Sequence, residues 1–348
     1  MPRSALRSRS LLVGLVLSGA GIGLLGFVGA GSRPGRPTAP SFRLRGDAGT
    51  AQNQSGLRLA ASTPTTLTVI RSVTHAGLQR TYRLRIPTSV PRSAPLVLAL
   101  HGGGSNARQM ERSSGLNGLA DQEGFIVAYP ESGSRNWYDG REGDFDSAHA
   151  ERRDDAGFLA AVVAAVGREH PVDRRRIYAT GISNGAFMSH YFAATHAELV
   201  AAIAPVVGGI ADPFHRSFAP SEPVSVLVVQ GTEDPLVPYG SGDVVLGRGR
   251  VIPTEEALRL WRRANDCSAP PRTSLLPDRD RTDGCRVERT VWAGCRGGSE
   301  VVLLKMQGAG HTWPDGSQYL PRRVIGRVCR DFDASYLWEF FQSHPKGG

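Results

Sequence analysis

The sequence predicts an α/β fold: a mostly parallel central sheet with helices on both faces, in a single domain over residues 67–345. Three observations carry this expectation. Short, largely apolar runs recur at Leu96–Leu100, Phe125–Tyr129, Ile177–Ile182, Val200–Val207, Val224–Gln230 and Val301–Met306. Runs without polar alternation mark strands covered on both faces. Segments of helical spacing stand between several of them, which suits parallel strands joined by crossovers. Glycine-rich turns then close three of the runs, at His101–Gly104, Gly181–Gly185 and Gly308–Gly310, where buried strands give way to loops.

Ahead of the domain the composition changes. Arg3, Arg7 and Arg9 precede an uncharged, mostly apolar run, Leu11–Ala30. A basic n-region before an apolar stretch predicts export, to the cell envelope or outside the cell, with residues 1–30 as a signal peptide. Six glycines dilute the run and Gly29-Ala30 suits cleavage; its length leaves a retained membrane anchor as the alternative. Residues 31–66 are rich in Gly, Pro, Ser, Arg and Gln without periodicity, and read as a flexible linker. The formal net charge is +9, with Lys305 and Lys346 as the only lysines. Arginine is spread along the chain rather than clustered with aromatics, which argues for general basicity and against a nucleic-acid partner.

Within the domain, Leu67–Val73 and Gln79–Ile86 read as strands joined at His75–Gly77, and Arg108–Ala120 as a helix. The long loop 130–153 holds Trp137, Tyr138 and Phe145 among Gly, Asp and Ser. A loop of this kind over strand ends offers substrate contacts, and its aromatics equally suit the plugging of a core edge. Asp154 and Asp155 cap a helix over Ala156–Arg168 with Phe158, Leu159, Val162, Val163 and Val166 on its apolar face. At a helix N-terminus, Asp155 reads as a cap rather than as a catalytic acid.

Ile177–Met188 is the stretch around which the rest is arranged. A strand-like run leads into Gly181-Ile182-Ser183-Asn184-Gly185, and Ala186–His196 continues as a helix. Strand, G-x-S-x-G turn and helix in this order form a nucleophile elbow, in which the serine takes a strained backbone and its glycine neighbours let strand and helix close together. The triple glycine after Leu100 is the matching loop from which one backbone N–H reaches a developing oxyanion. That predicts an oxyanion hole from the N–H groups of Gly103 and Asn184. Asp234, in a Pro-bracketed turn after Val224–Gln230, and His311, in a glycine loop after Val301–Met306, complete the chain order Ser, Asp, His of α/β-hydrolases. Thr254 caps a helix to Asn265, residues 270–284 are polar and irregular, and Asp333–His344 is a closing amphipathic helix.

The four cysteines, Cys267, Cys285, Cys295 and Cys329, lie in the last quarter of the chain. In an exported protein an even count suggests two disulfides, and four cysteines allow three pairings. No C-x-x-C spacing is present, which argues against a zinc site, and no metal or other cofactor is expected.

Assembled, these residues resemble the polyhydroxybutyrate depolymerase and feruloyl or acetylxylan esterase group of α/β-hydrolases. The matching stretches are L-A-L-H-G-G-G at 98–104, R-R-D-D-A-G-F-L at 152–159, Y-A-T-G-I-S-N-G-A at 178–186, Q-G-T-E-D-P-L-V-P-Y at 230–239 and G-A-G-H-T-W-P-D-G at 308–316. The resemblance implies Ser183 as nucleophile, His311 as base and Asp234 as its partner. It makes Trp313 a candidate wall of the substrate pocket, beside the loop residue Trp137. Similar proteins commonly carry cysteines matching Cys267 and Cys295, which implies that pair and leaves Cys285 with Cys329 as an added bridge. The implied substrate is a small or polymeric ester, a hydroxyalkanoate or a plant cell-wall ester. A serine peptidase of related fold and a catalytically idle envelope-binding protein are the alternatives.

Overall fold

The computed structural model describes residues 68–347; the expected signal peptide and linker lie outside the described residues. Ten strands form one sheet in the order β1-β2-β4-β3-β5-β6-β7-β12-β11-β10. In chain order these are β1 (Thr68–His75), β2 (Leu78–Arg85), β3 (Ala94–Leu100), β4 (Ile126–Pro130), β5 (Val172–Ile182), β6 (Ala202–Val206), β7 (Ser225–Gly231), β10 (Arg272–Leu275), β11 (Arg286–Trp292) and β12 (Val301–Gln307). A separate two-residue pair, β8 (Gly242–Asp243) with β9 (Arg250–Val251), stands apart.

The block from β4 to β12 is parallel throughout, and antiparallel strands extend it at both ends. Alternating side chains of β3 show why its sequence is apolar without interruption. Leu96, Leu98 and Leu100 enter one core cluster, while Val97 and Ala99 enter the other. Successive strand residues point to opposite faces, so a strand with helices above and below must be apolar at every position. Phe158, Met188 and Trp261 bring their helices onto the first face; Met110, Leu116 and Leu337 bring theirs onto the second.

Four local expectations are corrected. The helix expected over Arg108–Ala120 is two, Ala107–Ser113 and Leu116–Glu123, broken where Gly115 adopts φ +74°, a left-handed conformation that glycine adopts freely. Thr254 is the first helical residue rather than the cap, and no side chain caps that helix. Asp154 alone caps the helix Asp155–Glu169, accepting the N–H of Gly157, and Asp155 lies inside it. The irregular stretch after Pro270 contains β10, which pairs with β11; its four residues are all exposed and therefore carry no burial pattern.

Cys267 is bonded to Cys295 and Cys285 to Cys329. The second bridge spans 44 residues, and the chain-entropy model assigns such a loop about 4 kcal/mol of stabilisation. Replacing Cys285 and Cys329 together by alanine should lower the denaturant midpoint of unfolding correspondingly; an unchanged midpoint would count against a stabilising bridge.

Candidate active site

Because the parallel strands run in register, their carboxyl ends lie along one edge of the sheet. Leu100 is paired with Gly181, Ile182 with Val206, Val206 with Val229 and Gly231 with Met306. The residues singled out in the sequence follow these ends: Gly103 after β3, Ser183 after β5, Asp234 after β7 and His311 after β12. In open α/β sheets this edge is where ligands bind.

Ser183 has φ 57° and ψ −121°, a region that residues with a Cβ rarely occupy. Three hydrogen bonds fix it. Its N–H donates to the carbonyl of Val206 at 3.0 Å, and its own carbonyl accepts from the N–H groups of Ala186 (2.8 Å) and Phe187 (3.1 Å). Gly185 explains the flanking glycines: a Cβ there would stand 2.3 Å from the Leu100 carbonyl oxygen, so strand and helix close only on a bare Cα.

His311 and Asp234 are in contact. His311 Nδ1 lies 2.7 Å from Asp234 Oδ2, with both residues buried. The other carboxylate oxygen of Asp234 accepts from the N–H groups of Leu236 (2.8 Å) and Val237 (2.9 Å). Glu233, by contrast, meets the histidine loop through its backbone N–H, which donates to the Ala309 carbonyl. The ring is positioned from the main chain as well: His311 N–H donates to Ile325 and the Tyr319 hydroxyl to the His311 carbonyl.

Gly103 and Asn184 are neighbours. A Cβ on Gly103 would lie 3.5 Å from Asn184 Cβ and 2.6 Å from Asn136 Oδ1. Asn184 is held by groups that no local pattern announces. Its Oδ1 accepts the Trp137 N–H (2.8 Å), and its Nδ2 donates to the Trp137 carbonyl (3.0 Å) and to Asp139 Oδ2 (2.6 Å). Asp139 is buried and also bound by Arg141 and His149. Burial alone would raise its pKa, but Arg141 and the His149 hydrogen bond hold the carboxyl well below the usual range. His149 is also within 2.9 Å of Asp146, and its pKa is raised because hydrogen bonds to Asp139 and Asp146 outweigh its burial.

The two tryptophans expected as substrate contacts are both buried. Trp137 has no exposed surface, packs on His101 and donates its indole N–H to the His101 carbonyl at 3.0 Å. It therefore supports the glycine loop from beneath. Trp313 is largely buried and borders a cavity of about 380 Å³ with Leu119, Gln122 and Asp333, among others, and that lining includes none of Ser183, Asp234 and His311. Asp155, 0 % exposed, pairs with Arg80 at 2.6 Å and accepts the Tyr138 N–H, which anchors the loop that follows β4. Among the described residues the cluster of metal-ligating side chains within mutual reach is Cys285, Cys329 and Asp331, whose sulfurs are joined in a disulfide.

Residues 80–235 match the family model of esterase PHB depolymerases. A protein of Nocardia uniformis subsp. tsuyamanensis, "Putative esterase NocK", is 31 % identical over 287 residues, covering 77 % of this chain and 80 % of that one. The chain belongs to the PHB depolymerase esterase family. It is an ester hydrolase. Feruloyl esterase B of Piromyces equi is 28 % identical over 65 % of this chain, which spans 41 % of that larger protein. The fold matches that of an acetyl xylan esterase from Aspergillus awamori, with TM-score 0.53 at 16 % identity over 79 % of this chain and 99 % of that one.

Two consequences can be measured on this esterase. Removing Asp139 leaves the Arg141 charge buried without its partner, which typically costs about 3–5 kcal/mol. Asp139→Ala should therefore lower both the unfolding midpoint and ester turnover, and undiminished turnover would mean that the Asn184 clamp is dispensable. Separately, His101 lies beneath the glycine loop and His190 bonds Trp261 in the core. Burial, only partly offset by the Gly102 carbonyl, lowers the His101 pKa to about 4, and burial lowers that of His190 to about 3. Both stay neutral in the fold while unfolded histidine protonates near a pKa of about 6.5, so each withdraws stability as pH falls from there toward its folded value. NMR titration should find both rings neutral at pH 5.5; protonated rings would contradict their burial.

Proposed function

We propose that the protein is an exported serine esterase that cleaves short-acyl, hydroxyacyl or feruloyl esters through an acyl-enzyme. The observation that carries this reading is the His311–Asp234 pair at the sheet edge that also bears Ser183 in its strained turn. With Asp234 accepting a hydrogen bond from Nδ1–H, His311 keeps Nε2 free as the base. Ser183 Oγ then attacks the ester carbonyl as its proton passes to Nε2. The charge on the carbonyl oxygen is received by the N–H groups of Gly103 and Asn184. Collapse expels the alcohol, protonated by His311, and a water activated by the same imidazole frees the acid.

Relatives include a bifunctional acetylxylan esterase/xylanase, feruloyl esterases and a poly(3-hydroxyalkanoate) depolymerase. They support an ester of a small or hydroxylated acid on a sugar or polymeric alcohol. Export is supported by the two disulfides, which use all four cysteines and persist in oxidising compartments.

Ser183→Ala and His311→Ala should each reduce turnover by on the order of 10⁴–10⁶ with the fold retained, and the double variant should be little worse than either. Asp234→Asn should cost on the order of 10³–10⁴. An active Asp234→Asn alongside an inactive Glu233→Gln would reassign the acid. On a panel of p-nitrophenyl esters, rates should peak between acetyl and butyryl and fall beyond about eight carbons, where added methylenes lose the ~0.8 kcal/mol that burial of each would provide. Rates that climb to the palmitoyl ester would overturn the short-acyl reading.

A further inference from the structure

The segment between β8 and β9 contributes a cation that the esterase mechanism above does not use. Arg248 is half-buried, and its Nη1 stands 3.3 Å from the point where a Cβ on Gly103 would be. Its guanidinium therefore overhangs the glycine loop from which the oxyanion is received. The backbone there is anchored to the site: the Arg248 carbonyl accepts from Arg141 Nη1 at 2.8 Å, Arg141 is paired with Asp139, and Asp139 holds Asn184.

Arginines nearby have carboxylate partners. Arg141 has Asp139, and the exposed Arg250 pairs with Asp212 and Asp243. Among the described residues, no side chain forms an ion pair or hydrogen bond with the Arg248 guanidinium. Burial lowers its pKa, and the neighbouring Arg141 charge lowers it further, against a smaller opposing effect of Asp146. A partly desolvated guanidinium without a counter-charge is unfavourable in the free protein. A carboxylate placed beside it would relieve that cost through a bidentate, charge-assisted contact.

We propose that Arg248 recognises a carboxylate carried by the ester substrate, and so selects anionic esters over neutral ones of the same shape. This rests on the esterase reading of Ser183. The carboxylate can belong to the acid being transferred or to the alcohol being released, as at the end of a hydroxyacid oligomer.

Two pairs of esters separate these sources. Monomethyl succinate against methyl valerate places the carboxylate on the acyl side, and acetoxyacetate against propyl acetate places it on the alcohol side. The wild type should favour the anionic member of at least one pair in kcat/KM. Arg248→Gln should lower that ratio by about tenfold, mainly through KM, with Arg248→Lys intermediate. Arg250→Gln, which removes an equal charge from the surface, should leave the ratio within about twofold; an equal effect would assign the preference to long-range attraction by the basic protein. On the unmodified enzyme, succinate should inhibit competitively and succinamide should not. An unchanged ratio in Arg248→Gln, no anionic preference in the wild type, or equal inhibition by succinate and succinamide overturns the assignment. Hydrolysis of the neutral esters that survives Ser183→Ala overturns the nucleophile as well.

Discussion

The backbone of Ser183 is the constraint on which the site depends. A serine at φ 57° and ψ −121° costs of order 1–3 kcal/mol relative to relaxed backbone, and the surroundings supply the restoring forces. Val206 at the end of β6 accepts its N–H, the first turn of the following helix takes its carbonyl, and Gly185 lets that helix approach the Leu100 carbonyl. Each of these groups depends on the parallel register of β3, β5 and β6. A slip of one residue would exchange the two faces of a strand, so the core that fixes the register also fixes the serine.

The residue after Ser183 is restrained from the opposite direction. Asn184 spends its side-chain amide on the Trp137 backbone and on Asp139, so its orientation is set by a loop more than forty positions away in sequence. That loop is tied down by charges. Asp139 is satisfied by Arg141, His149 and Asn184, and Asp155 by Arg80 and the Tyr138 N–H. Buried carboxylates are tolerated only when paired in this way. The consequence under the proposed mechanism is preorganisation: N–H groups that receive charge act best when they need not turn during the reaction.

What the sequence disclosed follows the range of the interactions. The strands of the parallel block were legible because burial on both faces leaves an unbroken apolar run, and Gly181 to Gly185 because strand, turn and helix are contiguous. Asp234 and His311 could be placed by chain order and by their glycine and proline neighbours. The clamp on Asn184 had no such signal, since Asp139 and His149 look like ordinary polar loop residues until the loop folds over the elbow. Trp137 was ambiguous for the same reason, and only its enclosed indole separates a buttress from a pocket wall. The exposed strand β10 and the kink at Gly115 were missed because one carries no apolar pattern and the other sits inside a helical one.

His311 presents a different mechanical problem from Ser183, because among the described residues no further strand follows its loop in the chain. The structure answers with a second segment laid alongside. Gly310 and His311 donate to the carbonyls of Arg327 and Ile325, and Asp315 donates to that of Cys329. This partner segment is itself irregular, so its position must come from elsewhere. The Cys285–Cys329 bridge supplies it by fixing residue 329 beside Arg286, where β11 begins, and β11 is hydrogen-bonded to β12, the strand from which the histidine loop departs. Sheet, bridge, partner segment and histidine loop thus form a closed circuit. Asp234 enters that circuit from β7, whose next residue after Gln230 is a glycine that brings its backbone against the Ala309 and Gly310 carbonyls. Asp234 and His311 therefore meet because two adjacent parallel strands, β7 and β12, end together, and the covalent link between Cys285 and Cys329 helps to keep the His311 loop in place.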